Sequence, residues 1–289
     1  MTSTIYDLGY QSYSGPRYGR WHAIRTLFAY SFRAAFGIGR GEAARRMPIV
    51  VTAMVFMPAL SQVGVASATG MINFIHYSNY LEFSAILLGL FAAAQAPELI
   101  VTDKQSGVLS LYLSRPLRAT DYALAKLAAL TAAMLVLTVG PQLVLFIGKI
   151  LLAAKLWPAF TGEFSKLWPI LVGSLLISLF FATIALALAS FAVKRAYGTA
   201  AVIAFFLLTP AFAEIVRSVA TGDLRRWAVL LNPATLIMGF SQWLFLVEAS
   251  RRSAVGRADL PGKAYLLVML SACAVATAIL LTRYRKNEA

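Results

Sequence analysis

Residues 168–193 read WPILVGSLLISLFFATIALALASFAV, twenty-six positions without a charge. A bilayer core of about 30 Å takes about 20 apolar helical residues to cross. Lipid leaves no backbone group cheaply unsatisfied, so only helices and closed barrels span it. The apolar run here is continuous rather than alternating, which excludes a barrel strand. Five comparable stretches lie on either side, at about 48–67, 79–97, 123–147, 197–214 and 264–282. The expected fold is all-α: a polytopic integral membrane protein with six transmembrane helices. Composition agrees, since 60% of the 289 residues are hydrophobic and 13% are charged. A soluble domain carries about 25% charged residues, and this chain has too few to cover a water-facing surface.

The ends of the spans carry further signals. Pro48 suits the first turn of the first span, and Thr120 or Asp121 suits the N-cap of the third. Lys194-Arg195 forms a very short turn between the fourth and fifth. Residues 1–46 read as a separate N-terminal segment ahead of a 47–289 transmembrane domain. Within it, 1–19 is expected to be disordered or extended, with no apolar core of the signal-peptide kind. Residues 20–37 are expected to form an interfacial amphipathic helix, with Trp21, Ile24, Phe28 and Phe32 on one face. Gly37, Gly39 and Gly41 then break it. Residues 215–263 contain a second apolar patch, Trp227 to Val247, interrupted by Asn232-Pro233. Polar residues at its centre suit an external re-entrant or interfacial segment; a seventh span is the alternative.

Charge sets the orientation. With six spans, sixteen Lys and Arg fall on the side of both termini and ten on the other. Both termini are therefore expected in the cytoplasm, in a cell (inner or plasma) membrane. The net charge of +14 reflects these span ends facing anionic lipid, and nucleic acid is not an expected partner. Trp157, Trp168, Trp227 and Trp243 suit an outer interfacial belt.

Enzyme signatures are scarce. His22 and His76 fall on opposite sides and cannot share a metal, and no HExxH occurs. Glu82, Glu98 and Glu214 sit near span ends, so no carboxylate pair is expected at mid-membrane. No GxSxG elbow is present. The nearest phosphate-loop match, Gly256 to Ala264, has five residues between its glycines and Ala where Ser or Thr would hold magnesium. Cys273 lies in an apolar run and reads as a buried thiol. No catalytic, cofactor or metal site is expected in this chain. Small residues in the fourth span (Gly173, Ser174, Ser178, Ala182, Ala185 and Ala189) read as close helix packing.

The informative segment is 98–126, ELIVTDKQSGVLSLYLSRPLRATDYALAK. A bare connector needs only 2–8 residues. Val108, Leu109, Leu111, Tyr112 and Leu113 make a short apolar helical turn flanked by charges, and Ser114-Arg115-Pro116 ends it. Exposed apolar surface on the cytoplasmic side calls for a protein partner or for the chain's own span ends. Glu98 stands where the second span meets the cytoplasm. One reading pairs it with Arg118 or Lys126, tying the loop to the third span; the other leaves it solvated.

In its order of Glu98, Asp103, Gly107, Leu109, Leu113, Ser114, Pro116, Arg118, Tyr122 and Lys126, this segment resembles the loop between the second and third spans of ABC-2-type transporter permeases. The similarity extends to the interfacial helix, the six spans, the Lys/Arg turn and the Asn-Pro segment. Asp103 stands where those permeases often have Glu. The resemblance implies a non-catalytic permease subunit, with a second permease, identical or homologous, beside it. Two copies of a separate ABC ATPase subunit would carry the ATP and Mg²⁺. Loop 98–122 would then hold a coupling helix over 103–118, with Asp103, Lys104, Gly107, Val108, Leu109, Leu111, Tyr112, Leu113, Arg115, Pro116 and Arg118 docking the ATPase. Glu98, Tyr122 and Lys126 would brace the loop, and the direction would be export. A membrane-embedded enzyme of lipid or cell-wall metabolism and a non-transporting anchor for an ATPase are the other two readings.

Overall fold

The structure, a computed structural model, describes Gly15 and residues 18–70, 76–108 and 117–285. The elements in chain order are α1 (Arg20–Ala35), α2 (Glu42–Thr69), α3 (Tyr77–Gln105), α4 (Ala119–Leu151), α5 (Leu156–Phe191) and α6 (Arg195–Val219). There follow α7 (Gly222–Trp227), a 3₁₀ turn (Ala228–Leu231), α8 (Pro233–Leu244), α9 (Ala254–Ala258) and α10 (Gly262–Arg285). Six of these, α2 through α6 and α10, are long and apolar enough to cross a membrane. Alternating direction brings the start of α2, α4 and α6 and the end of α3, α5 and α10 to one end of the bundle, called here the charged end.

Helix bounds differ from the hydropathy bounds in ways that have local causes. Pro48 is not at the first turn: α2 starts six residues earlier, after Gly41. Pro97 does not end α3, which runs on to Gln105. The proline packs against Gly198 of α6, where an added Cβ would lie 2.9 Å from the Pro97 Cβ. Neighbouring helices make such interior prolines tolerable; others are Pro58, Pro141, Pro169 and Pro210. At 36 residues, α5 is about 54 Å long by the 1.5 Å rise per residue. Its first turns therefore overhang, and exposed Trp168 marks where its apolar part begins.

The patch at 227–247 is not a seventh span. Its helix, α8, has 12 residues, about 18 Å, too short to cross. Asn232 caps it by accepting from the Ala234 N–H at 2.9 Å, and Pro233 takes the first helical position, where no N–H is needed. The helix lies against α3 and α10: a Cβ on Gly239 would sit 2.4 Å from the Tyr265 ring.

The buried centre is built by α3, α4 and α5. In α5, Gly173, Ser174, Ser178, Ala182, Ala185 and Ala189 all face inward. Small side chains let backbones approach, and polar ones tie helices where lipid offers no partner. Thr138 and Ser178 share a hydrogen bond at 3.1 Å, and Gln142 Nε2 donates to Ser174 at 2.9 Å. At the end away from the charges, the Tyr77 hydroxyl donates to Glu163 at 2.9 Å, and Lys149 Nζ lies 4.1 Å above the Tyr77 ring.

By contrast, α2 is mostly unburied within the chain and is held by glycines of α4. A Cβ on Gly140 would meet the Phe56 ring at 2.4 Å; one on Gly148 would meet Val63 at 2.4 Å. Gly148→Leu is therefore expected to cost about 1–3 kcal/mol through overpacking. A lowered unfolding midpoint in detergent would show it, and an unchanged midpoint would mean α2 is not seated this way.

Candidate functional site

Helix α1 buries part of its apolar face against the rest of the chain. Leu27, Ser31, Ala34 and Ala35 are buried, and Ile24 and Phe32 pack against the core. Trp21 is 75% exposed, and Phe28 stacks on Phe32 at 6.2 Å. Trp21, Phe28 and Phe32 thus flank the buried stripe of a helix seated on α4. Gly37 and Gly39 reverse the chain at φ +72° and +88°, a conformation other residues rarely adopt. Side-chain space is also closed at Gly37, where a Cβ would lie 2.8 Å from the Arg45 Cα.

This reversal delivers Arg40 to Glu98. The carboxylate does not pair with Arg118 or Lys126, nor is it solvated, being only 9% exposed. Arg40 Nη1 lies 2.7 Å from Glu98 Oε1, and Arg195, at the start of α6, engages Oε2. Glu98 therefore joins three pieces of chain: the α1–α2 turn, α3 and the α5–α6 turn. Desolvation holds the Arg40 guanidinium below its usual value, the direction expected for a cation taken partly out of water. The Lys194-Arg195 turn signalled orientation in the sequence; its second role follows from the short connection after α5.

One helical turn and a half further along α3 stands Asp103. It accepts from Lys126 Nζ and from the Tyr122 hydroxyl, each at 2.8 Å. Lys126 is 1% exposed, so its charge rests on this carboxylate. Tyr122 and Lys126 thus meet at Asp103 rather than at Glu98. The foot of α4 begins at Arg118, not at Thr120 or Asp121. Asp121 sits three residues in and accepts from the Arg118 N–H at 3.1 Å. It also takes a two-pronged contact from Arg20, at 2.7 and 2.6 Å. Arg20 therefore ties the start of α1 to the start of α4, and this hydrogen bond raises the Arg20 pKa. Lys104, at the last turn of α3, donates to the Ser190 carbonyl at 2.6 Å and lies over the Tyr284 ring.

Gly107 ends the descent of α3 with φ +69°, and Val108 follows it half-buried. Leu109, Leu111, Tyr112, Leu113, Arg115 and Pro116 lie outside the described residues, as does most of 1–19. The sequence reading missed Arg20, Arg40, Asp121, Arg195 and Tyr284 as members of the cluster. Arg40 carried the one available signal, a cation placed within the glycine break.

Neutralising the three-way junction has a readable cost. Glu98→Gln leaves Arg40 and Arg195 sharing one amide oxygen. Arg195 is 56% exposed, so water recovers part of the loss, and about 1–3 kcal/mol is expected. Arg40→Ala on the Glu98→Gln background should add little further, since both changes remove one contact. Full additivity of the two midpoint shifts would show that the junction does not act as a unit.

Among the described residues no group of three or more His, Cys, Asp or Glu side chains comes together to hold a metal ion. Elsewhere, a cavity of about 410 Å³ opens at mid-depth between α3, α6 and the start of α8. Ile86, Leu90, Phe181, Phe206, Leu207 and Asn232 are among its walls. No protein-family model matches this chain, and no curated protein matches it either. The charged end is thus read on its geometry: a collar of ion pairs at both feet of the α3–α4 connection.

Proposed function

We propose that this chain is the membrane-spanning permease subunit of an ABC transporter of the ABC-2 type. It works as an exporter, forms the substrate path with a second permease, and is driven by a separate ATP-binding subunit present in two copies. The observation that carries this reading is the anchoring of the α3–α4 connection. Its incoming foot is tied through Asp103 to Lys126 and Tyr122, and through the Glu98 junction to α6 and the α1–α2 turn. Its outgoing foot is tied through Asp121 to α1.

Such a connection has a use if force arrives there. In this reading residues 103–118 dock on the ATPase at the cytoplasmic face of the cell membrane, where both termini also lie. ATP and Mg²⁺ stay on the partner, whose closure moves the docked segment as a rigid body. The pairs at Asp103 and Glu98 pass that displacement to α3, α4 and α6. For ATP to bias the permease, the docked segment must favour different permease states with and without nucleotide. The mid-depth cavity beside α6 supports a substrate path on that flank. Most of α6 is left uncovered by its own chain, as a subunit with a neighbouring copy requires.

The test is co-expression with an ABC ATPase subunit, sought first in the reading frames beside this chain's gene. ATP hydrolysis is expected only when that subunit copurifies, and vesicles holding both should move substrate. Hydrolysis by the purified chain alone would overturn the reading. Copurification without transport would reduce the chain to an anchor, and lipid turnover by the single chain would make it an enzyme.

A further inference from the structure

The last turns of α3, α5 and α10 meet around a second cavity at the charged end, with a volume of about 350 Å³. Its walls include Lys104 and Gln105 from α3, Ser190 and Phe191 from α5, Val193 just beyond α5, and Arg283 from α10. Two cations therefore face one space. Neither has a carboxylate partner among the described residues. The nearby acids are committed elsewhere: Asp103 to Lys126, Glu98 to Arg40 and Arg195, and Asp121 to Arg20.

Helix C-termini account for only part of this charge. Lys104 gives one of its three donors to the Ser190 carbonyl at 2.6 Å, as a cation at a helix end does. Gln105 Nε2 serves the Val193 carbonyl at 3.1 Å. Arg283 makes no such bond among the described residues and lies 5.2 Å from the Phe191 ring centre. A guanidinium stacked on one ring still has its N–H edge for a planar or tetrahedral oxyanion. Beside this polar floor, Phe191 is 55% and Val193 76% exposed. The same opening thus offers cations to a phosphate and apolar surface to a hydrocarbon chain.

We infer that this cavity binds a phosphate group between Lys104 and Arg283, and that its occupant is the headgroup of an anionic phospholipid whose acyl chain lies along Phe191 and Val193. Basic pockets between membrane helices suit such headgroups, with about 1 kcal/mol gained per cation near the surface. The site is independent of the ATPase reading, since it needs only the membrane.

The experiment uses the full chain in vesicles of phosphatidylcholine mixed with phosphatidylglycerol. Native mass spectrometry then counts the lipids retained on release. Wild type is expected to keep phosphatidylglycerol in preference to phosphatidylcholine. Arg283→Gln should weaken retention about fivefold, and Arg283→Gln with Lys104→Gln about thirtyfold. Arg285→Gln removes the same charge from the same helix end outside the cavity and should change nothing. Should the double variant fail to fold, Arg283→Gln carries the test, because the Lys104–Ser190 bond is left intact. A second arm titrates inorganic phosphate into the protein in phosphatidylcholine alone. Binding there that Arg283→Gln abolishes, without lipid preference, would support the phosphate site and assign it to the free ion. Equal losses from Arg285→Gln and Arg283→Gln would overturn the proposal, as would equal retention of both lipids with no phosphate binding.

Discussion

Replacing Asp103 with Asn is expected to destabilise the protein by about 3–5 kcal/mol, the largest loss of any single change at the charged end. Breaking a buried ion pair from one side costs this much because the surviving charge stays where water cannot reach it. Lys126 is that survivor, 1% exposed and seated on α4 one turn inside Tyr122. The Tyr122 ring lies 5.4 Å from its Nζ and can recover no more than about 0.5–2 kcal/mol. An amide oxygen at position 103 can still accept a hydrogen bond but brings no negative charge to the ammonium. Lys126→Met on the Asp103→Asn background should restore most of the loss, since a neutral pair of similar bulk removes the stranded charge. Unfolding in detergent followed for the four members of this cycle gives the coupling directly. Additive losses would show that Lys126 is stabilised by something other than Asp103.

Gly107→Pro is expected to abolish copurification with the ATPase, a loss of about thirtyfold or more in affinity if the docking segment is an interface hot spot. The reason is backbone geometry. Gly107 holds φ +69°, whereas the proline ring fixes φ near −65°. The chain leaving α3 would have to take another course, and everything from Val108 onward would be redirected. Among the described residues a Cβ at this position would meet nothing within 4 Å. Gly107→Asn should therefore keep the association, since Asn tolerates the left-handed region better than other side chains. The pair of variants separates direction of the chain from bulk. Retained copurification with proline at 107 would remove the segment from the docking role. Loss with asparagine as well would point to a contact at the glycine itself.

The crossing helices were legible because hydropathy is a local property. The uncharged run at 168–193 is a span whatever surrounds it, and the same holds for the other five. The start of α8 was also written locally, in an asparagine cap followed by proline, although the same residues first read as an interruption. Other features depend on partners distant in sequence. Helix α3 continues past Pro97 because Gly198 of α6 makes room for the ring. The first turns of α5 contain Thr161, Glu163 and Lys166 and look like loop, yet Glu163 is tied to Tyr77. At the charged end, the residues of the α3–α4 segment could be singled out, but not their partners. Arg20 and Asp121 are 101 positions apart, and no spacing rule links them. For Glu98 the sequence offers cations on the same segment or solvent, whereas packing supplies Arg40 and Arg195.

Five of the six crossing helices carry interior prolines, and α10 carries none. Each ring deprives a carbonyl four residues earlier of its helical N–H, at Met54, Ala93, Leu137, Ser165 and Phe206 among others. The bundle is therefore five jointed rods and one unbroken one, α10, on its flank. A push passed on by the ion pairs at the charged end would turn each of the five about its joint instead of travelling as a uniform tilt. Deuterium would enter first at the amides bordering them, and last along the middle of α10.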